Sequence, residues 1–94
     1  MAIYVDGNNI ALEVKGFETT TGPISSGSAH TLPVGFAYLL GSGKNLDVFF
    51  NGQLLMEGAS NDYVEDTPLT IKFNFTVPTG ANLIYIAHYR DNVF

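Results

Sequence analysis

Two histidines, His30 and His88, are the residues of this chain best suited to proton transfer or metal binding. His30 lies beside a loop and His88 in a strand-like segment, and neither has a carboxylate or second histidine at ligand spacing along the sequence. No Gly-x-Ser-x-Gly motif is present to position a nucleophilic serine. The sequence therefore predicts structural or exposed histidines and a protein that is not an enzyme.

A second group with possible chemistry is a set of four carboxylates that lie close together in the sequence. Paired carboxylates could bind Ca²⁺ or act as acid and base on a glycosidic bond. The interpretation that we favour is a solvated acidic corner in which Asp62 caps a turn and Tyr63 packs its ring. The segment at residues 6–9 resembles part of a calcium loop but lacks its terminal Glu, so it is expected to be a plain turn. We predict no cofactor and no metal. The four carboxylates are Glu57, Asp62, Glu65 and Asp66.

Composition excludes several classes of partner. The net charge is −5 with only four Lys and Arg, too few to neutralise a nucleic acid or to hold an anionic membrane surface. There is no cysteine, no apolar run of about 18 residues and no signal-peptide pattern at the N-terminus, so we expect a native start. Aromatic residues make up 13% and charged residues 14%, which is below the roughly 25% charged that is typical. This balance fits either a compact core or burial against other subunits.

Apolar segments of strand length are separated by Gly, Pro, Asn and Ser along the whole chain. This spacing predicts an all-β protein with one domain over residues 1–94, built as a small antiparallel β-sandwich or barrel-like fold. We divide it into an N-terminal hairpin (1–21), a loop-rich segment (22–35) and a main β module (36–94). Residues 36–40 are expected to form a strand, and residues 1–5 to act as a swapped or docking strand.

Three segments of the main module carry the strongest patterns. Asn51-Gly52 between apolar runs predicts a type I′ hairpin that pairs Phe49 with Leu54 and is apolar on both faces. Residues 69–76 alternate, so one face of that strand is expected to be buried, whereas residues 83–89 are apolar on both faces. The tyrosines could stack on sugars, but core or interface positions are the favoured interpretation. The predicted interface comprises Ile3, Tyr4, Val5, Phe49, Phe50, Leu54, Leu55, Tyr85 and Tyr89.

An ordered set of motifs resembles a β-sandwich module of bacteriophage virion proteins. The motifs are SGSAHTLP at residues 26–33, VFFNGQLL at 48–55, GASNDY at 58–63, the alternating strand at 69–76 and the closing segment at 79–90. The resemblance implies a capsid decoration (cement) protein, often trimeric, that cross-bridges subunits of the major capsid protein or contacts another virion protein. Such a protein is made in the host cytoplasm and ends up on the virion, preferably on the capsid surface. The alternative that it implies is a receptor- or carbohydrate-binding domain of a tail fibre or neck.

Overall fold

The computed structural model describes the backbone of residues 9–92 and the side chains of residues 12–89. These residues contain seven strands and no helix, hence none that could span a membrane. The strands form two antiparallel sheets, in the orders β1-β7-β3-β4 and β2-β6-β5, which confirms the predicted small all-β sandwich. The strands are β1 (Asn9–Thr19), β2 (Ala29–Thr31), β3 (Leu46–Phe50), β4 (Gln53–Leu54), β5 (Tyr63–Thr67), β6 (Thr70–Phe73) and β7 (Asn82–Asn92).

The core lies between the two sheets. Directly paired residues of neighbouring strands project to the same side, so Val48 and Tyr85 point inward together from β3 and β7. Ile71 and Phe73 of β6 meet them from the second sheet, with no exposed surface. Loop residues complete the core, because the second sheet is too short to cover the first. The buried apolar residues are Leu32, Phe36, Tyr38, Leu46, Val48, Tyr63, Ile71, Phe73, Val77, Ala81, Leu83, Tyr85 and Ala87.

Residues 36–40 are not a strand, and the prediction of one there is wrong. Phe36 donates its N–H to Pro33 in a turn, and Tyr38 donates its N–H to Pro68 at the tip of the β5–β6 hairpin. The rings of these residues close the core instead, and Phe36 packs 5.8 Å from Tyr85. Gly16 makes room for it, since a Cβ there would lie 3.0 Å from the Phe36 ring. The apolar alternation over residues 36–40 therefore comes from loop side chains that pack into the core, and not from a hydrogen-bonded strand.

The Asn51-Gly52 hairpin forms as predicted. Asn51 and Gly52 have φ values of 49° and 87°, as a type I′ turn requires, and Phe49 pairs with Leu54. The Asn51 side chain also accepts a 2.9 Å hydrogen bond from the N–H of Asn82, which fixes the turn to the start of β7. The predicted register is therefore confirmed, and a contact with the start of β7 reinforces it.

The acidic corner contains a strand that the sequence interpretation missed. β5 pairs with β6 through a tight turn at Pro68 and Leu69, with an irregularity between Glu65 and Thr67. Because Leu69 lies in that turn, its side chain is 55% exposed rather than buried, which corrects the alternation expected over residues 69–76. Phe75, past the end of β6, packs at the edge of the core.

The N-terminal hairpin is described only through its second arm. β1 runs for eleven residues and pairs with β7 along its whole length, from Asn9 opposite Asn92 to Thr19 opposite Asn82. Residues 1–8, which include the predicted first arm and the docking strand, lie outside the described residues. Among the described strands, β1 has β7 as its one neighbour in the four-stranded sheet.

Candidate functional site

A row of apolar side chains crosses the side of the four-stranded sheet that faces away from the core, which we call the outer face. Phe17 pairs with Ile84, Ile84 with Phe49, and Phe49 with Leu54, so the four side chains lie side by side on β1, β7, β3 and β4. Phe17 is 65% exposed and Leu54 53% exposed, and the two central residues are half-buried. Large apolar groups gathered on one exposed face are typical of a contact surface.

The next positions along the strands add charge to the outer face. Lys15, Ile86 and Asp47 form a second row on β1, β7 and β3. Beyond it, His88 lies between two carboxylates, with Nε2 2.8 Å from Asp47 and Nδ1 3.5 Å from Glu13. Sequence spacing did not reveal these neighbours, because they come from strands far apart in the chain. The outer face is thus apolar at one end and charged at the other.

Four further exposed apolar side chains, which we call the loop cluster, are Val34, Leu39, Leu40 and Leu69. The first three lie in the loop between β2 and β3, and Leu69 lies in the turn between β5 and β6. Two backbone hydrogen bonds hold this loop to the hairpin, from Leu32 N to Leu69 O and from Tyr38 N to Pro68 O. Since that hairpin belongs to the sheet on the inner side, the loop cluster is separate from the outer face.

The predicted interface residues separate into exposed and buried groups. Phe49 and Leu54 lie on the outer face, whereas Phe50 and Leu55 pack against the core. Ile3, Tyr4 and Val5 lie outside the described residues.

The two predicted interface tyrosines both project to the inner side. Tyr85 has no exposed surface, so its assignment to an exposed interface is wrong and it is a core residue. Tyr89 is half-buried against the core, and its hydroxyl donates to the carbonyl of Ala37. The reason is the alternation of side chains along β7. Residues 83, 85, 87 and 89 project toward the core, and residues 84, 86 and 88 project to the outer face.

Three apolar residues of the outer face were not among the predicted interface residues: Phe17, Ile84 and Ile86. The apolar character of both faces of β7 was visible in the sequence and was the available signal for the two isoleucines. Phe17 carried no such signal, because its importance comes from lying opposite Ile84, a pairing between distant segments.

Glu18, His30 and Tyr85 form a polar cluster that joins the two sheets. One Glu18 oxygen lies 2.7 Å from His30 Nε2 and accepts a 2.5 Å hydrogen bond from the Tyr85 hydroxyl. Burial, and then the hydrogen bond to the Glu18 carboxylate, raise the pKa of Tyr85 well above its usual value. These contacts give His30 a structural role between β1 and β2.

The acidic corner is organised by hydrogen bonds to the backbone of its own chain. The Glu65 carboxylate accepts N–H groups from Gly41 and Gly43 at 2.8 Å each and from Ser42 at 3.1 Å, so it fills a backbone nest. Asp62 caps the N–H of Met56 at 2.8 Å, as the favoured interpretation expected. Among the described residues no group of three potential metal ligands is found. The acidic corner therefore anchors the loop at residues 41–43 through Glu65.

Replacing Glu65 with Ala is expected to destabilise the fold by about 2–4 kcal/mol, because three backbone N–H groups lose a charged acceptor. Urea denaturation followed by circular dichroism measures the change. The control is Glu65→Gln, which keeps one acceptor oxygen at the same reach and should lose about half as much. An Ala variant as stable as the wild type would show that the nest does not anchor the loop.

Comparison with known proteins adds no relative. No family model matches the chain, and neither the curated proteins nor the solved structures include a significant match.

Proposed function

We propose that this chain is a structural protein of a bacteriophage virion that decorates the capsid and acts by binding. The observation that carries the proposal is that one small domain leaves large apolar side chains exposed on two separate surfaces, the outer face and the loop cluster. A decoration protein needs two such surfaces, because it must contact the shell and also link one contact point to another. The ordered motifs over residues 26–90 give the reason for choosing a phage particle.

The loop cluster is the surface that we assign to the shell. Val34 is fully exposed, and Leu39, Leu40 and Leu69 are each about half exposed. The loop is held at several points, by the Glu65 nest and by Tyr38, whose hydroxyl donates to Thr70 O at 2.9 Å. A surface fixed in this way loses little conformational entropy on binding, which favours a tight contact. The partner is then the major capsid protein or another virion protein.

Homo-oligomerisation is part of the proposal. Several copies joined together would contact neighbouring capsid subunits at once, so that weak individual contacts add to a strong attachment. The low charged content and high aromatic content are compatible with this arrangement, because few charges leave apolar surface that other copies can cover.

The test is binding of the purified protein to phage shells that lack it, measured by co-sedimentation. The double change Leu39→Ser and Leu40→Ser is expected to weaken shell binding at least about tenfold, since two half-exposed apolar anchors are lost. Met56→Ser is the matched control, because it removes an exposed apolar side chain from another loop. Unchanged binding of the double variant would remove the loop cluster from the proposal.

Electron microscopy of the parent virion tests the location directly. We expect density for this chain on the shell. Density confined to the tail tip would reject the decoration role and leave the tail-fibre alternative.

One observation favours that alternative, a receptor- or carbohydrate-binding domain. A groove beside the charged end of the outer face brings Tyr89 together with polar side chains that could hydrogen-bond a sugar. The other tyrosines with described side chains, Tyr38, Tyr63 and Tyr85, are buried and cannot stack on a ligand. A glycan array distinguishes the two roles, since only the alternative predicts specific hits. The groove is lined by Leu12, Glu13, Lys44, Asn45, Asp47, His88 and Tyr89.

A further inference from the structure

We propose that the outer face binds a second copy of this chain across a two-fold axis that runs parallel to β7. The proposal goes beyond the virion role, because it depends only on the pattern of side chains on this sheet. It identifies the partner of the outer face, which the exposure of the apolar row alone does not.

The arrangement of the rows on either side of β7 is self-complementary. β1 and β3 flank β7, and in the apolar row they carry Phe17 and Phe49 on either side of Ile84. A two-fold axis along β7 places β1 of one copy over β3 of the other. Phe17 then meets the partner's Phe49, and Ile84 meets its own equivalent, so three of the four residues in the row are covered by apolar groups. Leu54, on β4, extends past the partner's β1.

The same axis brings opposite charges together in the charged row. Lys15 on β1 and Asp47 on β3 flank Ile86. The axis brings each Lys15 over an Asp47 of the other copy, which creates two equivalent ion pairs around an Ile86–Ile86 contact. Lys15 is exposed, and the Asp47 side chain, which contacts His88 through Oδ2, is still 38% exposed. Charge complementarity of this kind selects a partner and its orientation.

An axis at right angles to the strands is less favourable. Set along the apolar row, it would stack each apolar side chain on its own equivalent but give Lys15 and Asp47 no opposite charge. Set between the two rows, it would place Phe17 over Lys15 and Phe49 over Asp47. Each charge would lose water without gaining a counter-charge, which costs free energy. Aligned sheets pack at about 30° to each other. Residues that lie near a two-fold axis along β7 still face each other at that angle.

The consequence is a dimer with an isologous contact, in place of the trimer that the sequence resemblance implied. In such a contact both copies use the same surface, so every interaction between two different residues occurs twice. The loop clusters remain uncovered, because none of their residues belongs to the four-stranded sheet. One dimer therefore presents two loop clusters to other proteins.

Light scattering during size-exclusion chromatography tests the stoichiometry. We expect the wild-type protein at micromolar concentration to have twice the 10.2 kDa mass of the chain. A monomer or a trimer would overturn the proposal. Leu40→Ser, in the loop cluster, is the control and should keep the dimer mass while weakening shell binding, so the two proposals fail independently.

Charge reversal tests the geometry. Lys15→Asp and Asp47→Lys are each expected to weaken dimerisation at least about tenfold, because two like-charge pairs replace two ion pairs. An equimolar mixture of these variants should restore the dimer, since both pairs in the heterodimer join opposite charges. A mixture that stays monomeric, with both variants folded by circular dichroism, would overturn the axis. Ile86→Arg places like charges on the axis and should give a monomer that neither variant rescues; a dimer would contradict the proposal.

Discussion

Replacing Phe73 with Ala is expected to destabilise the protein by about 3–5 kcal/mol, a large part of the roughly 5–14 kcal/mol available to a domain of this size. The Phe73 ring has no exposed surface and lies between His30, at a centroid distance of 6.0 Å, and Phe75, at 5.7 Å. Its removal leaves a cavity in the core, because the surrounding side chains can close over the space only in part. Urea denaturation followed by circular dichroism measures the loss.

Phe17→Ala provides the matched control, since it is the same chemical change at a ring that is 65% exposed. We expect a cost below about 1 kcal/mol in the monomer, because little apolar surface leaves the folded state. Both variants are best compared at a concentration at which the chain is monomeric, since association adds to apparent stability. Equal losses for the two variants would contradict the division between core and outer face.

A steep loss of stability above about pH 10 is the second large effect. Burial raises the pKa of Tyr38 to about 12 and holds the pKa values of Tyr63 and Tyr85 higher still. An unfolded tyrosine ionises near pH 10, so above that pH the unfolded chain releases protons that the folded chain retains. Stability is therefore full below the unfolded pKa and falls as the pH rises toward the folded values. Each tyrosine contributes up to about 1.4 kcal/mol per pH unit, or about 4 kcal/mol per unit for three.

Urea denaturation at a series of values between about pH 9 and pH 11.5 measures this slope. Tyr38→Phe is the control, because it keeps the ring and removes one of the three ionising groups. Its slope should be about one third smaller, although it also loses the hydroxyl's contacts with Thr70 and Asp66. Stability that stays constant from the lowest to the highest pH would show that the three phenols are not held in the protonated form.

Local patterns were enough to predict the parts of the fold in which the interacting residues are close in sequence. The Asn51-Gly52 turn is the clearest case, because two positive φ values and the flanking apolar pairs fix its register without help from the rest of the chain. The inward positions of Ile71 and Phe73 followed from alternation in the same way. Residues 36–40 show the limit, since their apolar pattern is equally compatible with a strand and with a loop that plugs the core.

The sequence predicted only some residues of the outer face, for a related reason. Phe49 and Leu54 are neighbours across a two-residue turn, so their shared face could be predicted. Tyr85 was assigned to the surface because an apolar strand with two similar faces does not reveal which face meets the second sheet. Phe17 was missed because nothing near it in the sequence shows that it lies beside Ile84.

The sequence by itself determined the fold class, the central hairpin and the scarcity of charge that leaves apolar surface uncovered. Each is a property of composition or of residues within a few positions, where backbone preferences act directly. Only the tertiary structure decided which face of β7 is the core and that Lys15, Ile86 and Asp47 form one row. It also decided that Glu65 fills a nest made by residues 41–43. These contacts join segments separated by long loops, and pairing at that distance is set by the packing of the whole sandwich.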